Sequence, residues 1–94
     1  MPVSTNIGSP VDGDDHYHRD NGDVVVSGMS SPGATTQVQL LLGDGSPGGL
    51  AATFQTNWTV SFGGIEAGQW LTVVVNATSG PDQAGDSSHF FCEA

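Results

Sequence analysis

One short stretch, "DGDDHYHRDNGD" from Asp12 to Asp23, holds half of the side chains that could bind a metal ion. Its carboxylates are Asp12, Asp14, Asp15, Asp20 and Asp23. Carboxylate oxygens are the ligands that calcium prefers, so calcium is the candidate cofactor of this stretch. The spacing departs from the calcium loop of helix–loop–helix proteins, because a histidine takes the third acidic position and no glutamate closes the loop.

The same stretch permits two other interpretations. Imidazole suits zinc and copper, so His16 and His18 could bind such a metal together with Asp20. The simplest interpretation is a solvated acidic linker that binds no metal, and this is the one we favour.

Two tryptophans raise the question of carbohydrate binding, since sugar rings stack on exposed aromatic side chains. Trp58 is in phase with Val60 and Phe62 in an alternating run, which predicts a buried side chain. Trp70 is out of phase with the apolar residues that follow it, which predicts an exposed one. The candidate ligand-binding residues are Gln69, Trp70 and Thr72. The alternative for Trp70 is packing at a sheet edge or against a neighbouring domain.

The chain lacks the patterns that usually carry catalysis. No "GxSxG" elbow, "HExxH" pair or lysine-bearing phosphate loop occurs. Cys92 is the only cysteine, which rules out an intramolecular disulfide. Its alternating apolar surroundings predict a small buried hydrophobe rather than a nucleophile. We therefore expect a protein that is not an enzyme.

The charge balance narrows the set of partners. Ten acidic residues stand against one basic residue, Arg19, and the formal net charge is −9. Because nucleic acids and anionic membranes bind through lysine and arginine, we exclude both as partners. No run reaches the roughly 18 apolar residues of a membrane helix, so we expect no membrane insertion. We expect a monomer, with glycans or other proteins as candidate partners.

A change of pattern at Val24 divides the chain. Residues 1–23 lack a sustained period, which predicts a flexible acidic arm or linker with a short strand near Val3 to Ile7. Residues 24–94 hold apolar alternations separated by turn signals such as "GDGSPGG" and "SGPDQAGDS", and "SHFFC" predicts a last short strand. We predict one all-β domain, a small antiparallel β-sandwich of about seven short strands.

The order of these runs resembles that of bacterial immunoglobulin-like domains. "VVVSGMSSPGATTQVQLLLGDG" is followed by "NWTVSFGGIEAGQWLTVVVNAT", then by a glycine-aspartate loop and a last strand. The matching positions are Val26, Ser27, Gly28, Asp44, Gly45, Trp58, Ile65, Gly68, Val73, Val75 and Ala77.

What this resemblance implies is an immunoglobulin-like domain over residues 24–94, within a larger secreted or cell-surface bacterial protein. Such a domain would be a structural or interaction module, acting as a spacer or in adhesion. Its partners would be neighbouring domains of the same chain or other surface proteins, and its location extracellular or at the cell surface. The single cysteine departs from the antibody type, which pairs two cysteines across its sheets.

Overall fold

Residues 3–93, the part described by a computed structural model, form eight β-strands in two sheets. The strands are β1 (Thr5–Ser9), β2 (Tyr17–His18), β3 (Val24–Ser30), β4 (Thr35–Leu41), β5 (Pro47–Thr53), β6 (Asn57–Phe62), β7 (Gln69–Ser79) and β8 (Asp82–Glu93). One sheet has the order β1-β3-β6 and the other β2-β8-β7-β4-β5. The predicted all-β fold with two sheets is thereby confirmed. Within residues 3–93 there is no helix long and apolar enough to cross a membrane.

The core lies between the two sheets and follows from the alternation of the strands. In β7, Leu71, Val73 and Val75 are buried, because residues two apart point to the same face of a strand. In β6 the same rule buries Trp58, which is 1% exposed as the sequence predicts. Burial of each large apolar side chain contributes roughly 1.5–3 kcal/mol, so these alternating runs hold the two layers together.

Trp58 is fitted into the core by a glycine and by one hydroxyl group. It pairs with Gly28 across β3 and β6, and its ring covers the bare backbone there. Its indole Nε1–H donates a hydrogen bond of 3.0 Å to Ser30 Oγ. A Cβ at position 28 would overlap both the indole ring and the carbonyl oxygen of Asn6. Glycine therefore lets β1, β3 and β6 pack at this distance.

The segment before Val24 differs from the flexible arm that the sequence predicts. β1 pairs with β3 antiparallel, and β2 pairs with β8 in parallel. Between these strands, Gly13 N–H donates to the carbonyl of His89 at 2.7 Å. Much of the segment is thus packed along the sandwich.

The reason lies in a few isolated apolar residues whose spacing shows no period. Ile7 packs against the core from β1, and Tyr17 packs edge-on against Phe90 with ring centroids 5.0 Å apart. Pro10 is buried, and its carbonyl accepts a hydrogen bond of 2.8 Å from Ser88 Oγ. Isolated apolar residues form no repeating pattern. Sequence periodicity therefore cannot show that they close one side of the core.

The hairpin between β7 and β8 also differs from the sequence expectation. The sequence predicts a loop at "SGPDQAGDS" before a short last strand, whereas β8 already begins at Asp82. Ser79 pairs with Asp82, so Gly80 and Pro81 alone form the turn. Gly80 has a φ of 60°, which a glycine adopts without strain. The extended pairing makes β7 and β8 the longest strands of the sandwich.

The fit at Gly28 leads to a stability prediction. Gly28→Ala should lower the free energy of unfolding by about 2–3 kcal/mol, because the added methyl group overlaps the backbone and the Trp58 ring. Gly8→Ala is the matched control, since a Cβ there meets its nearest atom, Ser27 O, at 3.7 Å. It should change stability by less than about 1 kcal/mol. Urea unfolding followed by tryptophan fluorescence measures both, and equal losses would contradict the packing described.

Candidate functional site

The exposed aromatic side chains of β7 and β8 meet on the outer face of the five-stranded sheet. Trp70 pairs with Phe91, and the neighbouring pair on the same face is Thr72 with His89. The indole ring of Trp70 stacks on the imidazole of His89, with centroids 4.8 Å apart and planes inclined by 13°. Phe91 meets the indole edge-on, with centroids 5.5 Å apart. We call these three residues, Trp70, His89 and Phe91, the aromatic patch.

The aromatic patch is held in place by a side-chain hydrogen bond. Thr72 Oγ1 lies 2.9 Å from His89 Nδ1, which orients the imidazole under the indole ring. Aromatic contacts of this kind contribute about 0.5–1.5 kcal/mol beyond burial. Trp70 is nevertheless 42% exposed, so one part of its ring faces solvent as the alternation predicts.

The structure separates the three predicted ligand-binding residues. Gln69 points away from Trp70 and joins two loops: its Oε1 accepts from Gly43 N–H at 3.0 Å, and its Nε2 donates to the carbonyl of Glu66 at 2.9 Å. Thr72 is engaged with His89. Trp70 is therefore the member of the predicted set that presents a free surface. The roles of all three in ligand binding stay predictions.

Beside the aromatic patch, two histidines of the N-terminal segment hold one carboxylate of β8. His16 Nδ1 lies 3.0 Å from Glu93 Oε1, and His18 Nε2 lies 3.2 Å from Glu93 Oε2. Asp15 Oδ1 lies 3.2 Å from the other ring nitrogen of His16. The hydrogen bond to Glu93 and the negative charges of Asp15 and Glu93 raise the pKa of His16 above its usual 6.5. We call His16, His18 and Glu93 the imidazole–carboxylate clasp.

The acidic residues of the predicted calcium stretch are spread along the edge of β8 and beyond it. Asp12 Oδ1 accepts the backbone N–H of His89 at 2.8 Å, and Asp14 Oδ1 accepts that of His16 at 2.9 Å. Asp20 and Asp23 pair with each other through their backbones. Within residues 3–93, no three side chains of His, Cys, Asp or Glu are grouped so that they could hold a metal ion. Binding of calcium, or of zinc or copper, stays a prediction.

Cys92 lies in the core between the sheets and is fully buried. Burial raises the pKa of its thiol, and the charge of Arg19 offsets this only in part. A thiol that resists ionisation is a poor nucleophile. The position of Cys92 agrees with a packing role.

A cavity of about 720 Å³ opens at the end of the sandwich where β4 turns into β5 and β6 leads to β7. Glycine backbones, Leu42 and Ile65 form much of its wall, together with the carboxylates of Asp44 and Glu66. Of the predicted ligand-binding residues, Gln69 alone lines it, with an amide that is already bonded. The cavity and the aromatic patch are thus separate features.

Comparison of the chain with protein-family models, with curated proteins and with solved structures finds no match.

The clasp generates a prediction for pH titration. His16 should titrate above 6.5, and Glu93→Gln should bring its pKa back toward that value by removing the first-named cause of the shift. Because the folded-state pKa of His16 is raised, its contact with Glu93 stabilises the fold below pH 6.5, and this contribution is lost as the pH rises through that folded-state pKa. Imidazole NMR titration reads this directly. Glu66→Gln removes the same charge elsewhere and should leave His16 nearly unchanged; an equal response to both variants would contradict the clasp.

Proposed function

We propose that this chain is a non-catalytic immunoglobulin-like module of a larger secreted or cell-surface bacterial protein, with a structural or interaction role. The grouping of strands supports this. In immunoglobulin-like sandwiches the strands named A, B and E share one sheet, and C, F and G share the other. Here β1, β3 and β6 form one sheet, and β4, β7 and β8 are neighbours in the second, with β5 at its edge. In chain order these are the same two groups, except that β5, in the place of strand D, joins the second sheet instead of the first, and β2 is an additional strand.

Two features favour a module unlike the antibody domains. The antibody type carries its buried tryptophan on strand C, next to a disulfide between the sheets. In this chain the buried tryptophan, Trp58, lies on β6, and Cys92 has no second cysteine to bond with. Core packing takes the place of the covalent link, which agrees with the bacterial type that the sequence resembles.

The observation that carries a spacer role is the position of Ser4 and Glu93 in the sandwich. Ser4 bonds to Ser31, beyond the end of β3. Glu93 follows Cys92, whose carbonyl accepts the N–H of Gly68, just before β7. Because β3 runs from Val24, paired with Phe62, to Ser30, these two loops lie at opposite ends of the sandwich. The long axis of the described residues measures 41 Å, and Ser4 and Glu93 lie at opposite ends of the strands.

A spacer of this geometry should resist tension along its length. Force applied between Ser4 and Glu93 runs along the strands and loads all hydrogen bonds of a strand pair at once. The β7–β8 turn lies beside the start of β4, at the same end of the sandwich as Ser4. Force between Ser4 and Asp82 therefore pulls at one end only, and it should break the hydrogen bonds of a strand pair one at a time. Single-molecule stretching with handles at Ser4→Cys and Glu93→Cys should therefore show the higher unfolding force. An unfolding force with handles at Ser4→Cys and Asp82→Cys that equals the force for the Ser4→Cys and Glu93→Cys pair would contradict the spacer role.

Carbohydrate binding is the second candidate function, and the exposed ring of Trp70 favours it. His89 and Phe91 fix the indole from two sides, so a sugar ring would meet a platform that is already ordered. The hydrogen-bonding groups around it are engaged within the protein, which limits the platform to stacking.

Trp70→Ala tests this candidate. It should abolish retention of the protein in polysaccharide affinity gels, because it removes the stacking surface. Val74→Ala, two pairs along the same exposed face of β7, is the matched control and should retain binding. Absence of retention of the unmodified chain on any polysaccharide would remove carbohydrate binding and leave the spacer role standing.

A further inference from the structure

Two edge strands on one side of the sandwich contain no charged residue. From Pro47 to Gly64 the sequence contains no acidic or basic residue, although the whole chain has ten acids and one base. This stretch forms β5 and β6, which are end strands of the two sheets. The two strands lie on the same side of the molecule, because Phe62 of β6 packs onto the backbone of Gly49 in β5. We call this side the uncharged edge.

The opposite side is both charged and closed. Gly13 N–H donates to His89 O, and Phe91 N–H donates to Asp14 O, each at 2.7 Å, so the N-terminal segment covers the free side of β8. On β1, the N–H of Ile7 donates to Asp86 Oδ2 at 2.8 Å. Backbone groups that would otherwise pair with another chain are thus occupied, and carboxylates surround them.

The edge of β5 has little of this protection. Among residues 3–93 its only strand partner is β4, so its second row of backbone N–H and C=O groups is free of strand pairing. Natural edge strands are usually blunted by charges, prolines, bulges or covering segments. β5 has Pro47 at its first position and a register shift beside it, and the remaining residues, "GGLAAT", are uncharged. Leu50 is 69% exposed and Phe54, just after the strand, is 75% exposed.

We propose that β5 is a pairing surface for a second copy of this chain, with the two β5 strands antiparallel across a twofold axis. The pairing would join two five-stranded sheets into one sheet of ten. A twofold axis makes such an interface self-complementary, and one short uncharged strand is enough to define it.

The distribution of charge favours this edge and this orientation for the approach of a second copy. Two chains of net charge −9 repel each other, and the uncharged edge is where they approach with the least repulsion. The acidic edge near β2 lies four strand spacings away, which is about 19 Å. That distance exceeds the screening length of about 8 Å at physiological salt. Antiparallel pairing also places Asp44 of the two copies at opposite ends of the interface.

The side chains of β5 suit this arrangement. A register centred on Ala51 sets Leu50 across from Ala52 of the second copy and Phe54 across from Gly48. An aromatic ring that covers a glycine in the neighbouring strand protects its backbone from water. Pairing would therefore cover Leu50 and Phe54, the most exposed large apolar side chains among residues 3–93. The monomer expected from the sequence would then be the form present in dilute solution. Side-by-side pairing leaves both ends of the sandwich free, so it is independent of the spacer role.

Sedimentation-velocity ultracentrifugation of the full chain, from micromolar to millimolar concentration, tests the proposal. The unmodified chain should pass from monomer to dimer as concentration rises. Leu50→Lys should weaken dimerisation at least tenfold, because a charge at the edge opposes strand pairing. This substitution also reduces the net negative charge. If general repulsion alone controlled dimerisation, Leu50→Lys would therefore strengthen it.

Val11→Lys makes the same charge change on the opposite side, where Val11 is 60% exposed, and it should leave dimerisation intact or strengthen it. NMR amide dispersion verifies that both variants are folded. A chain that stays monomeric at the highest concentration overturns the proposal. So does a Leu50→Lys dimer as stable as that of the unmodified chain, or an equal loss on Val11→Lys.

Discussion

The hydroxyl group of Ser30 is the point on which the sandwich depends. It accepts hydrogen bonds from Trp58 Nε1 at 3.0 Å and from Thr36 Oγ1 at 2.7 Å, and Thr5 Oγ1 lies 2.9 Å away. A serine hydroxyl has two acceptor sites and one donor, so with both acceptors filled the Ser30 O–H donates to Thr5. These contacts join β1, β3, β6 and, through Thr36, the second sheet. A buried indole N–H without a partner would cost about 1–3 kcal/mol, which this one hydroxyl avoids.

The outer face of the sandwich follows from this inner arrangement. Once Leu71 and Val73 point into the core that Trp58 fills, the residues between and beside them must point outward. The exposure of Trp70 is thus a consequence of the core and not an independent feature. The same alternation in β8 buries Phe90 and brings His89 and Phe91 to the indole of Trp70. Core and candidate binding surface are two faces of one strand pair.

Much of this architecture can be predicted from the sequence. The rest cannot be predicted, for definite physical reasons. A period of two identifies Trp58 as buried and Trp70 as exposed, because each lies within a long alternating run. The imidazole–carboxylate clasp cannot be predicted from the sequence, because His16 and Glu93 are 77 positions apart and meet only when β2 pairs with β8. The bonds of Gln69 to two loops are equally hidden. The packing of residues 3–23 depends on single apolar residues, and their composition alone suggests a linker.

The two tryptophans allow the most direct test of this account, which is hydrogen exchange of their indole N–H groups followed by NMR. The Trp58 Nε1–H is buried and bonded to Ser30, so it should exchange only when the whole domain unfolds. The Trp70 indole lies on the exposed face and should exchange faster by orders of magnitude. Rapid exchange at Trp58, at a rate comparable with Trp70, would contradict the central role of the Ser30 contacts. Slow exchange at both would contradict the outward position of Trp70.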